Sequence, residues 1–311
     1  MIDRATYADM MNFMRGVLDG IFNADGARLK WNIRNSKLED IPTFSLPAGH
    51  SCPFAKDCRS CAIRNPNFGQ DTGRMLHGKK VKHDSRKFII QDGPETEWRC
   101  YTAIDEVMRP SVRAARWHNF LMLKSAVAQG REATIAMIEA SLPPSPKWGA
   151  PPKRIHVAGD FFSLVYFDAW LEVARRRPSQ IFYAYTKALP FWVLRRNEIP
   201  ANFRLTASYG GTHDWMIARY GLRSVKVVAS VDEAVALGLE IDHDDSHAYG
   251  TGGDFALLVH GQQPKGSKWA KAWSALKKLG MGGYGNQKEG MIKGSARSLN
   301  AGGTTPAVAV A

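Results

Sequence analysis

The sequence predicts an α/β protein built on a parallel sheet, and three observations predict it. From residue 154 onward, short apolar runs alternate with segments of helical periodicity. Five such strand–helix units follow one another, and parallel neighbours require helical crossovers. With 44% apolar residues in 311, the chain can also bury a sizeable core. A partial or complete β/α barrel fits best, with a doubly wound sheet as the alternative. In either, chemistry belongs at the carboxyl ends of the strands.

Taken in order, residues 5–22 read as a helix, with Tyr7, Met10, Met11, Met14, Val17, Leu18 and Ile21 on one stripe suited to core packing. Residues 23–50 are irregular and interrupted by Pro42 and Pro47. A cysteine stretch follows. Residues 62–99, rich in Gly, Asn, Asp and basic side chains, read as an exposed insertion. Helical periodicity runs from Ala103 to Ala140 with breaks near Pro110 and Gly130, and PPSPKWGAPPK is a connector. The expected strands are then Arg154–Ala158, Ile181–Tyr185, Phe203–Ala207, Val225–Ala229 and Phe255–Val259. The expected helices are Tyr166–Arg176, Phe191–Arg196, Asp214–Tyr220, Val231–Leu237 and Lys268–Leu279. The predicted organisation is a lead-in over 1–50, a cysteine loop and β/α core over 51–260, a basic segment over 261–297 and a disordered tail over 298–311.

No run of 18 apolar residues occurs, and MIDRATYADMMNFMRG has neither a basic leader nor an apolar block. Neither a membrane span nor a secretory signal is expected, which points to a reducing cytoplasm. The net charge is +13 and the pI about 9.6. Eight lysines and arginines fall between Gly261 and Arg297 against one acid, Glu289. Such a local surplus suits a polyanion, most simply nucleic acid, although a solvated basic face would look the same.

Four cysteines are present, in SCPFAKDCRSCAIR and, further on, in RCYTA. Five residues separate Cys52 from Cys58, two separate Cys58 from Cys61, and 38 separate Cys61 from Cys100. Clustered thiols in a reducing compartment indicate a metal or redox chemistry. The neighbouring Lys56, Arg59 and Arg64 would favour thiolate over thiol. Structural zinc and an iron–sulfur cluster both match this supply of ligands.

A loop of close cysteines ahead of β/α units resembles the radical S-adenosylmethionine (radical SAM) enzymes. Gly159 and Asp160, in HVAGDFFS, resemble the glycine-rich acidic motif that meets the cofactor's amino group in that family. Further segments, FSLPAGHSCP, Cys100-Tyr101, His156–Phe161 and Tyr185-Thr186, resemble a group of radical SAM-like bacteriophage proteins, closest to isomerases of thymidine hypermodification. The resemblance runs from about Asn35 to Gly285.

The resemblance implies a partial (β/α)6 barrel whose first strand lies near Ile41–Leu46. It implies a [4Fe-4S] cluster on three of Cys52, Cys58, Cys61 and Cys100, with Cys100 the expected outsider and Cys61 its rival. It implies S-adenosyl-L-methionine as cofactor, an electron donor, and a DNA base as substrate, plausibly a thymidine whose glycyl group passes from nitrogen to carbon linkage. If the protein is viral, its compartment is the host cytoplasm. Asp160 would accept the cofactor ammonium, with helix capping as its structural alternative. Thr186, Lys187 and Ser208, at the next strand ends, are candidate contacts for the cofactor's carboxylate or ribose. Lys268, Lys271 and Lys278 would hold the DNA backbone from a helix whose Trp269, Trp273 and Leu276 face the barrel.

Other clusters read as structure. His213 and Asp214 mark a helix start, and the run from Asp242 to His247 reads as a solvated acidic loop. Two competing functions are a zinc-containing barrel transglycosylase with Asp160 as nucleophile and a non-catalytic zinc nucleic-acid-binding protein.

Overall fold

The computed structural model describes residues 28–33, 38, 41–70, 75–76, 79–80, 86–144 and 151–281. The expected helix over 5–22, the middle of the proline-rich connector, the tail, and Lys288, Lys293 and Arg297 lie outside the described residues.

The stretch expected as an exposed insertion begins and ends as paired backbone. β1 (Ser60–Arg64) and β4 (Phe88–Asp92) form an antiparallel pair, and β2 (Met75–Leu76) pairs with β3 (Lys79–Lys80) between them. Ser60 and Ala62 are buried. Of the described residues over 62–99 only Ala62 and Asn65 are buried; the strands escaped the sequence reading because β1 is short and its inward residues are small, so alternation is faint.

Three helices follow: α1 (Tyr101–Met108), α2 (Pro110–Gln129) and α3 (Arg131–Ser141). Pro110 starts α2 at a position where its missing N–H costs nothing.

The remaining elements alternate. They are β5 (Lys153–Ile155), α4 (Leu164–Arg175), β6 (Phe182–Thr186), α5 (Leu189–Arg195), β7 (Phe203–Ser208), α6 (Trp215–Tyr220), β8 (Ser224–Val228), α7 (Val231–Ala236), β9 (Glu240–Ile241), α8 (Ser246–Tyr249), β10 (Phe255–Leu258) and α9 (Lys268–Lys278). The six strands make one parallel sheet in the order β5-β6-β7-β8-β10-β9. β10 thus inserts between β8 and β9, an order the strand pattern does not reveal.

Residues 42–46 extend the β5 edge. Arg154 N donates to Pro42 O (3.0 Å), Phe44 N to Arg154 O (2.9 Å), Val157 N to Phe44 O (2.9 Å) and Leu46 N to Ala158 O (2.8 Å). The cysteine loop therefore leaves the carboxyl end of a segment parallel to β5.

Strand alternation sorts the two faces of the sheet. Ile155, Phe182, Ala184, Phe203 and Leu205 pack with Trp117, Leu123, Ile138, Phe167 and Trp170 from the helices. Each large side chain so buried contributes about 1.5–3 kcal/mol. α4 begins cleanly because Ser163 Oγ accepts from Tyr166 N (3.3 Å). The opposite face gathers Tyr183, Val225 and Phe255 with Leu38, Ile41 and Ala248.

The acidic run is not the solvated loop its composition suggests. Asp242 and Asp245 are buried. Asp245 accepts from Arg154 Nη1 (2.7 Å), Tyr183 OH (2.9 Å) and Tyr185 OH (3.0 Å). Inward-facing donors on β5 and β6 draw this carboxylate in. No helix among the described residues is long and apolar enough to cross a membrane.

Candidate functional site

The loop from Leu46 to Arg59 is fixed at both ends. Ala48 N donates to Glu106 Oε1 on α1 (2.8 Å), and Glu106 also accepts from Arg116 Nη1 (2.9 Å). Thr212 N donates to Phe54 O (2.9 Å) and Lys56 N to Gly210 O (3.0 Å), tying the loop to the end of β7. Gly159 makes this approach possible. Its φ is +84°, and a Cβ there would lie 2.5 Å from both Leu46 Cβ and Ser51 Oγ.

The β1–β4 pair returns the chain to the same place. Cys100 N donates to Ser60 Oγ (3.3 Å), Ser60 Oγ donates to Asp92 Oδ1 (2.8 Å), and Asp92 is ion-paired with Arg99. Cys100 takes the N-cap position of α1, at the positive end of the helix dipole.

Cys52, Cys58 and Cys100 consequently border one cleft at the carboxyl ends of the strands, together with Gly159, Asp160, Thr186, Lys187 and Ser208. The cleft has a volume of about 150 Å³, smaller than the ~300–1,000 Å³ common for small-molecule sites. Cys61 does not line it. Its sulfur packs on the Gly49 backbone, where any added side chain would collide. The resemblance made Cys100 the expected outsider and Cys61 its rival, whereas in the structure it is Cys61 that lies outside the cleft. The 38 intervening residues had hidden this, because the hairpin they form closes the gap.

The nearby basic residues do not decide the ionisation of these thiols, contrary to the expectation from sequence. Burial pushes Cys52 well above the usual range, reinforced by Asp160, Cys100 and Cys58. Burial also pushes Cys58 up to about 11 despite Lys187, and Cys61 up to about 12 despite Arg59. Cys58 and Cys100 oppose the ionisation of Cys52, and Cys100 that of Cys58, so a bound cation is what would render Cys52 and Cys58 thiolates. No group of three or more His, Cys, Asp or Glu side chains stands at metal-ligand spacing among the described residues.

Asp160 does not cap α4, a role Ser163 takes. It ties two strand ends together: Oδ1 accepts from Thr186 Oγ1 (2.6 Å) and Phe161 N (2.8 Å), and Oδ2 accepts from Lys187 N (2.7 Å). Burial raises its carboxyl even so. Lys187 Nζ donates to Ser208 Oγ (2.7 Å). Burial alone would lower Lys187, but Cys58, Asp160, Asp214 and Cys100 together hold it above its usual value. Asp214 accepts from Gly210 N (2.8 Å) and Gly211 N (2.9 Å), which makes it a clasp for the turn rather than half of an acid–base pair.

Sequence reasoning missed Arg154, His156, Trp98 and Tyr101, which also line the cleft. Two polar residues alternating in the otherwise apolar RIHVA were the available signal. His156 has φ +66°, an unusual backbone for a non-glycine residue. Burial, aided by Arg154, lowers its pKa from 6.5 to about 3. Its neutral form is thus preferred on folding. That stability is complete above pH 6.5 and is lost as pH falls toward 3, by about 1.4 kcal/mol per pH unit. His156→Asn, which tolerates left-handed backbone and does not titrate, should remove this component from urea midpoints measured between pH 7 and 5. An unchanged slope would mean that the ring is not held neutral.

α9 carries the basic face. Trp269 and Leu276 are buried, Trp273 is half-buried, and Lys268, Lys271 and Lys278 are exposed. Trp269 packs on Trp98 with ring centroids 5.3 Å apart, and Lys268 pairs with Glu97 (3.5 Å). The helix therefore stands against one wall of the cleft.

Fold and cleft define an α/β protein whose thiols meet polar strand ends at the carboxyl edge of a parallel sheet. The chain belongs to the Gene product 88 family, which it matches over residues 21–278. It is 33% identical over 90 residues to the "Gene 88 protein" of Mycobacterium phage L5, an alignment covering 28% of this chain and 38% of that protein. The chain thus spans well under half the length of this curated relative. No solved structure matches it.

Proposed function

We propose that this protein is a radical SAM enzyme acting on a base in viral DNA, with a [4Fe-4S] cluster on Cys52, Cys58 and Cys100. The observation that carries the reading is the meeting of these three thiols with Asp160 and Lys187 in one cleft. On this reading the sheet, led by residues 42–46, is a partial (β/α)6 barrel. When bound, the cluster and S-adenosylmethionine supply a carbon-centred radical, which requires an electron donor.

The chain's own residues do the rest. A carboxylate has about four lone-pair sites, and three neighbouring donors occupy Asp160, so one site remains for an ammonium group. Lys187, kept protonated by its acidic neighbours, suits a carboxylate. Val227, Leu257 and Val259 make part of the lining apolar and exclude water. The proposed reaction moves a glycyl group on a hypermodified thymidine from nitrogen to carbon linkage. A four-cysteine zinc site would need Cys61 to join the others, and Asp160 as a nucleophile would have to leave three hydrogen bonds, so the zinc readings fit less well.

Anaerobic purification tests the assignment. Visible absorbance and about four irons per chain are expected, and stoichiometric zinc without iron overturns it.

The DNA component is supported by the basic α9 beside the cleft, since lysines can follow a phosphate backbone while the base is drawn out of the duplex. Replacing Lys268, Lys271 and Lys278 together by glutamine should weaken DNA binding. Its log–log salt dependence should flatten by about 0.9 for each phosphate that is no longer neutralised, with iron content unchanged. Unaltered affinity and slope would remove α9 from the interface.

A further inference from the structure

Among the buried polar groups bordering the cleft is Arg154, only 7% exposed. Its Nη1 donates to Asp245 Oδ2 (2.7 Å), and its guanidinium lies 4.7 Å over the centre of the Tyr185 ring. These contacts fix the plane of the fork before any ligand arrives. Nε has no hydrogen-bond partner among the described residues. Leaving a buried donor unpaired is costly, more so when the group is charged. His156 Nδ1 is likewise buried without a partner, but its ring packs on Phe44, Phe161 and Tyr166 on the helix-covered face. Its Nε2 is occupied by Tyr166 OH (3.0 Å).

We propose that Arg154 receives a carboxylate of the substrate at the floor of the cleft. A planar group with two oxygens matches the guanidinium fork. The Arg154–Asp245 pair is neutral overall, and Asp242 is buried nearby, hydrogen-bonded to Tyr185 OH (3.5 Å). That balance opposes a doubly charged phosphate more strongly than a singly charged carboxylate. The substrate class is therefore an adduct ending in a free carboxylate, such as an aminoacyl unit linked through nitrogen. The inference rests on the cleft being the reaction site, and it places the carboxylate of the substrate apart from that of the cofactor, near Lys187.

The test uses full-length protein purified without oxygen, with N-acetylglycine and its uncharged counterpart N-acetylglycinamide as probes, followed by tryptophan fluorescence. The acid should bind at least about tenfold more tightly than the amide, a difference of about 1.4 kcal/mol. Equal affinities would overturn the proposal, and this comparison needs no variant. The double substitution Arg154→Gln with Asp245→Asn removes both charges of the buried pair together. Folded by circular dichroism, it should lose the preference for the acid while binding S-adenosylmethionine as before. A parallel loss of S-adenosylmethionine binding would show that Arg154 holds the carboxylate of the cofactor, which also overturns the proposal. Iron measured on the same sample separates the two readings: iron with no acid preference sinks only this one, and acid preference without iron sinks only the radical assignment.

Discussion

Protein purified without oxygen should lose its colour and iron when Cys52, Cys58 or Cys100 is replaced by alanine, and keep both when Cys61 is replaced. The contrast between Cys61 and Cys100 is the informative half. Sequence spacing pairs Cys61 with Cys58 through two residues, which would make Cys61 indispensable. The geometry puts Cys100 in the cleft and Cys61 on β1, its sulfur against the Gly49 backbone. Cys61→Ala removes one half-buried thiol and should cost about 1 kcal/mol from poorer packing, with the metal retained. Each of the other three substitutions takes away a proposed ligand, and the expected effect is near-complete loss of iron. Retained iron in Cys100→Ala with loss in Cys61→Ala would restore the sequence-based assignment and require the hairpin to move.

Gly159→Ala should be among the most damaging single-methyl changes near the cleft. Two costs combine there. A side chain at φ +84° is strained by roughly 1–2 kcal/mol. The new methyl would also meet Leu46 Cβ and Ser51 Oγ at 2.5 Å, and overpacking of this kind costs about 1–3 kcal/mol. A loss of about 2–5 kcal/mol in urea unfolding is expected, with reduced iron because the cysteine loop is what must shift. Gly221→Ala provides the control, having φ +60° but no atom within 4 Å of the new methyl. It should show the backbone cost alone. Equal effects at the two positions would mean that the close approach of the loop to β5 contributes nothing.

Much of the sheet was legible before folding because its signal is local. β6, β7, β8 and β10 lie within a residue or two of the expected strands, and α4 through α7 and α9 lie close to the expected helices. β5 stops earlier than RIHVA suggests, since His156 adopts positive φ. The polar strand ends Asp160, Thr186, Lys187 and Ser208 were legible too, because any parallel sheet exposes the residue after a strand at its carboxyl edge. The acidic run misled for the opposite reason. Its composition is that of a solvated loop, and only Arg154, Tyr183 and Tyr185, distant in sequence, turn it inward.

By itself, then, the sequence determined the alternation of strand and helix, the direction of the strands, the edge on which polar residues collect, and a basic α9 with its tryptophans turned inward. All of these follow from periodicities of two and 3.6 residues, which the chain carries locally. The tertiary structure alone decided which three thiols share a cleft, where β10 enters the sheet, and that Arg154 lies at the floor with a buried carboxylate on one side and an unpaired nitrogen on the other. Those features depend on contacts between residues tens of positions apart. Cys100 reaches Cys52 and Cys58 only because an antiparallel hairpin cancels the length of chain between them, and no local pattern records where such a hairpin ends.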